Sequence, residues 1–203
     1  MSHDIDESTG KPAMAYVGAE PWHELGERLP AGQSIEVWMR AARLDWRIQM
    51  VPVQYAFGGR ARIMRTRFVL TRDDTGAALS VVSADYQVVQ PAEVLEFYRD
   101  LVAQRHYTLE TAGALDGGRK VWALARTGMV ANIAGNAADQ LGAYVLLATS
   151  CDKTLATTVS FTPQSMEQFS LATRHLFDKA FIRVLVRRLH AAHEAAAHPR
   201  RIL

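Results

Sequence analysis

Residues 107–126, YTLETAGALDGGRKVWALAR, alternate as two strands about a glycine turn. Residues 107–114 and 120–126 read as the strands, and Asp116, Gly117 and Gly118 supply the positive-φ positions of a tight connection. Working outward toward the C-terminus, 141–151 is a continuous apolar run and 155–162 is threonine-rich, which predicts a second hairpin. Toward the N-terminus, 46–57 alternates through Ile48, Met50, Val53 and Tyr55 with a break at Pro52. Gly58 and Gly59 turn that strand into 60–71, and Asp73 to Gly76 turns the chain again into 78–83.

Helical periodicity appears in three places. Ser34 is placed to cap a helix over 35–44, with Ile35, Trp38, Met39 and Ala42 on one face. Pro91 fits a first helical position, and Val94, Leu95, Tyr98, Leu101 and Val102 recur at helical spacing over 91–104. Residues 165–197 carry an apolar stripe of Phe169, Leu176, Phe177, Ala180, Val184 and Leu185. The expected fold is therefore α+β, a mainly antiparallel sheet with packed helices and a C-terminal helix. With 203 residues, 49% of them hydrophobic, one core suffices. The expected organisation is a disordered leader over 1–13, a single α+β domain over 14–163, and a helical basic tail over 164–203 docked on it.

Two signatures point to a family. One is Ala15 to Gly18 followed by Pro21, Trp22, His23, Leu25 and Gly26, with Leu44, Asp45 and Trp46 further on. The other starts at Tyr86, Val89 and Gln90, continues through Thr111, Ala112, Gly113, Gly117, Gly118, Arg119, Val121 and Trp122, and closes with Thr149, Ser150, Asp152, Thr162 and Pro163. From Met14 to Pro163 the chain resembles a phage/plasmid-like family, domain of unknown function 932. Beyond Pro163, Gln164 to Gln168 departs from the pattern. The resemblance implies a mobile-element setting and no particular chemistry.

Little else in the sequence announces catalysis. There is no phosphate-binding loop, dinucleotide fingerprint or paired-histidine zinc helix. His23 and Glu24 stand together in an expected loop: one reading makes His23 a turn residue, the other makes Trp22, His23 and Glu24 the site of a small hydrolase. Cys151, the single cysteine, ends an apolar strand and reads as a packing thiol. Asp85 and Asp152 read as turn residues. His190 and His193 lie one turn apart with no further ligands spaced to complete a metal site. No cofactor is expected. No stretch of about 18 apolar residues is present, so membrane insertion is not expected and a cytoplasmic location is.

Arginine is distributed unevenly. Arg40, Arg43, Arg47, Arg60, Arg62, Arg65, Arg67 and Arg72 follow one another with Asp45 the only acid before Asp73, although the net charge is just +2. In a regularly pleated strand Arg60 and Arg62 oppose Arg65 and Arg67; a bulge near Ile63 and Met64 would merge them into one stripe. Arg187 and Arg188 add a second basic cluster in the tail. These residues, with Tyr55, Phe57 or Trp46 offered for stacking, predict a DNA-binding protein favouring single strands. The order of sheet and helix is broadly similar to Rad52-like single-strand annealing proteins, which would place it in recombination or replication of a mobile element; self-association fits that reading. A small hydrolase, and an interaction factor countering host defence, are the alternatives.

Overall fold

The computed structural model describes residues 4–21, 23–103, 107–132 and 140–163. In chain order the described strands are β1 (Met14–Tyr16), β2 (Glu27–Arg28), β3 (Ile48–Phe57), β4 (Arg60–Arg72), β5 (Ala78–Ser83), β6 (Thr108–Leu115), β7 (Lys120–Asn132), β8 (Gln140–Ser150) and β9 (Thr158–Pro163). Helix α1 (Ile35–Ala41) precedes β3, and α2 (Pro91–Ala103) precedes β6. A short 3-10 turn, Asp116–Gly118, joins β6 to β7.

These strands form two sheets, a six-stranded one in the order β2-β1-β6-β7-β8-β9 and a three-stranded one in the order β3-β4-β5. Among the described residues strand outweighs helix, 46% against 15%. This corrects the expected α+β fold of one sheet with packed helices: the protein is sheet-rich, with two sheets and two α-helices among the described residues. Alternation identifies a strand but not its partner. β1 pairs with β6 over a long sequence separation, Met14 with Gly113, while β3 to β5 pair only with one another. Helix α1 is also shorter than expected, because Arg43 turns to φ 54° and Leu44 leaves the helical path. The expected C-terminal helix, and the tail over 164–203, lie outside the described residues.

One face of the larger sheet is lined by small residues, Ala15, Ala112, Ala114, Ala123 and Ala125, which let the helices approach closely. Tyr98 of α2 reaches that face fully buried. Its hydroxyl accepts the Leu147 N–H at 2.9 Å and lies 2.8 Å from the Ala123 carbonyl, tying the helix to β7 and β8. On the opposite face Met14, Tyr16 and Trp122 make a smaller cluster with Ile5 and Leu115.

Residues 4–13, expected as part of a disordered leader, pack against this sheet instead. Ile5 bridges Leu115, the Asp6 N–H donates to the Ala114 carbonyl, and Ala114 returns a bond to Ala13. The Ala13 carbonyl comes so near Gly113 that a Cβ there would lie 2.5 Å away. An acidic, polar composition suggests solvation, but the Asp6 carboxylate has a buried partner in Arg72.

Candidate nucleic-acid interface

The base of the three-stranded sheet is locked to the larger one. Arg72, at the end of β4, is buried; it ion-pairs with Asp6 and Asp74, stacks 4.1 Å over the Trp46 ring and donates to the Gly117 carbonyl. Burial pushes the Asp6 carboxyl up, but the Ser8 amide and the Arg72 guanidinium outweigh it and hold the group below the ordinary carboxylate range. Arg72 holds Asp74 down as well. Gly118, at φ 92°, lies against both partners; a Cβ there would come within 2.8 Å of Arg72 and Trp46. Arg72 is therefore no part of a basic surface, and Trp46, 4% exposed beneath it, is not open for base stacking. Nothing in the local sequence separates Arg72 from its neighbours except the acids Asp73 and Asp74 that follow it.

Gln90 secures the same base from the other side. Its Oε1 accepts the Ile48 N–H at 2.8 Å and its Nε2 donates to the Ile48 carbonyl at 3.1 Å. The Gln90 N–H meanwhile donates to Glu93, capping α2.

From this base β3 and β4 run outward as a two-stranded arm. β5 pairs with β4 only from Arg67 to Thr71, so beyond that level no third strand is present among the described residues. Every residue from 54 to 67 is exposed, on both faces of the ribbon. Gly58 and Gly59, at φ 60° and 74°, make the two-residue turn at its tip, a connection that needs positive φ at both positions. Five residues of β3 beyond Pro52 give an arm of about 17 Å.

The bulge is present. Pro52 pairs with Phe68 and Val53 with Met64, so residues 65–67 are extra on β4. On the tip side of the bulge Arg60 faces Phe57 and Arg62 faces Tyr55 across the ladder. On its base side Phe68 turns inward with buried Leu70 and Val82, which places Arg67 on the outward face with Arg60 and Arg62. An uninterrupted strand would have set them on opposite faces. Arg65 sits inside the bulge. The same outward face carries Tyr55 and Phe57, 46% and 68% exposed, and the Arg62 guanidinium lies 5.6 Å from the Phe57 ring centroid. Among the described residues, no ion pair involves Arg60, Arg62, Arg65 or Arg67. Arg47 is exposed at the foot of β3, its backbone bonded to Asp73. Arg187 and Arg188 lie outside the described residues.

His23 and Glu24 are elsewhere. Pro21 and Glu24 close a turn, and the His23 Nδ1 accepts the Leu25 N–H at 3.1 Å. Trp22 is outside the described residues. A hollow of about 340 Å³ beside β1 and β2 is lined by Val17, Gly18, Arg28, Leu29, Pro30 and Ala31 and includes neither His23 nor Glu24. Burial raises the Cys151 thiol to about 11, in keeping with a packing role. Asp152 accepts the Thr154 N–H in a turn. Among the described residues no three His, Cys, Asp or Glu side chains group as metal ligands would, and no helix is long and apolar enough to cross a membrane.

Residues 78–165 match the family model described as Domain of unknown function (DUF932). No curated protein and no solved structure matches the chain. The DUF932 match covers the later part of the span expected from the sequence, from β5 onward. It contains Gln90 and Asp152, whose side chains bond backbone groups, and Gly113 and Gly118, where a Cβ would collide with Ala13 or with Arg72 and Trp46. The arm falls before it. The signature residues of the DUF932 segment thus build the mount, and the exposed cations stand on a part of the chain outside it.

Proposed function

We propose that the protein binds DNA through the β3–β4 arm, without regard to base sequence. The observation that supports this is the exposure of all residues from 54 to 67 together with four arginines that meet no acid among the described residues. Guanidinium groups on a solvated ribbon are mobile donors suited to phosphate oxygens, and counterion release drives their association. A two-stranded ribbon is also narrow enough to follow a strand or enter a groove. The phage and plasmid setting implied by the family resemblance would supply such a ligand.

Fluorescence anisotropy with a labelled oligonucleotide and the full chain, repeated across a salt series, tests this. Each phosphate contact contributes about −0.7 to the slope of log affinity against log salt for a single strand. Arg65→Ala with Arg67→Ala should weaken every sequence alike and flatten the slope by about 1.4. An unchanged slope in a folded double variant removes the arm as the binding surface.

A further inference from the structure

The geometry points to an unstacked single strand as the ligand of the arm, with bases seated on Tyr55 and Phe57 and phosphates running beside them on Arg60 and Arg62. This deepens the reading of the arm as a DNA-binding element and rests on it. The ladder pairs Phe57 with Arg60, Tyr55 with Arg62 and Val53 with Met64 on one outward face. Rings occupy one strand and cations the adjacent one, in parallel rows about 4.8 Å apart. That is the arrangement a nucleic-acid strand presents edge on, bases to one side and backbone to the other. Phe57 at 68% and Tyr55 at 46% exposure keep large ring surfaces open to solvent, and exposed apolar surface continues on the ribbon at Met64 and Val51. Arg62, already lying over Phe57, adds a guanidinium plane to the platform.

Spacing excludes a stacked ligand from these seats. Successive residues on one face of a strand are about 6.8 Å apart, twice the roughly 3.4 Å rise per nucleotide of duplex DNA. Two bases can each cover a ring only if they have been drawn apart, and a duplex offers base edges, not base faces. The remaining side chains of the arm tip give little to read edges with: Ala56, Ala61 and Ile63 fill the other face, with Gln54 the one amide there.

An oligonucleotide that keeps its phosphates but lacks bases separates the two parts of this ligand. The full chain should bind an oligothymidine more tightly than an abasic strand of equal length and more tightly than a duplex. Tyr55→Leu and Phe57→Leu should each cost roughly tenfold on oligothymidine, leave the salt slope unchanged and leave abasic binding untouched. Tyr55→Trp, which keeps a ring, should restore binding. Equal affinity for thymidine and abasic strands, loss in the leucine variants that extends to the abasic strand, or a duplex bound as tightly as the single strand would overturn the inference. In each of those cases a flattened salt slope in the Arg65→Ala, Arg67→Ala variant would still keep the arm as the binding element, whereas no effect from either set of variants removes both.

Discussion

At one end of β4, Arg72 lies 2% exposed between Asp6, Asp74 and the Trp46 ring; at the other, Arg60 and Arg62 stand in solvent on a ribbon that, among the described residues, no third strand supports. One residue type on one strand does two jobs, and burial with acid partners separates them. A guanidinium taken from water must be compensated on the spot, so Arg72 has carboxylates, a carbonyl and a ring around it. One left in water requires nothing from the fold. It follows that stability and binding should be separable along β4.

Arg72→Met is expected to have the largest effect. Removing one partner of a buried pair leaves Asp6 unpaired and costs about 3–5 kcal/mol, readable as a lower denaturant midpoint. The cost should depend on pH. Asp6 and Asp74 have folded values below their unfolded ones, so their pairing stabilises the wild type above about pH 4 and is lost as pH falls through the lowered values. The gap between variant and wild type should therefore narrow in acid; a gap constant down to acid unfolding would separate Arg72 from its carboxylates. Gly118→Ala comes next, at roughly 1–3 kcal/mol for strained backbone plus the displacement of Arg72 and Trp46, with arm binding intact. Arg60→Ala with Arg62→Ala should leave the midpoint where it was and flatten the salt slope, which titration and melting of one sample would show. A loss of stability there would mean that the arm is not the independent ribbon the pairing describes.

Local pattern made much of this legible. The β6–β7 turn, the Gly58 and Gly59 tip, the start of α2 at Pro91 and the alternative of a bulge in the arginine strand all rest on short-range chemistry that sequence displays. Sheet membership does not, because β1 finds β6 across a separation that no period records. The arginine run was visible, but Arg72 could not be told from Arg67 without knowing that Asp6 arrives beside it. Trp46 was misread for the same reason: a tryptophan near arginines looks like a stacking platform until the arginine is found lying on it. Gln90 stood out as a signature residue, yet its work is done on Ile48, in a different sheet system.

That amide clamp also bears on how the chain keeps to itself. Among the described residues β3 is an outer strand, and an outer strand offers unpaired backbone groups to any other polypeptide that can align with it. At Ile48 the Gln90 side chain occupies both groups, as a neighbouring strand would, and four residues on Pro52 has no N–H to offer. The margin is thus closed at its root and interrupted soon after, which guards against edge-to-edge aggregation while leaving the outward face of the ribbon open.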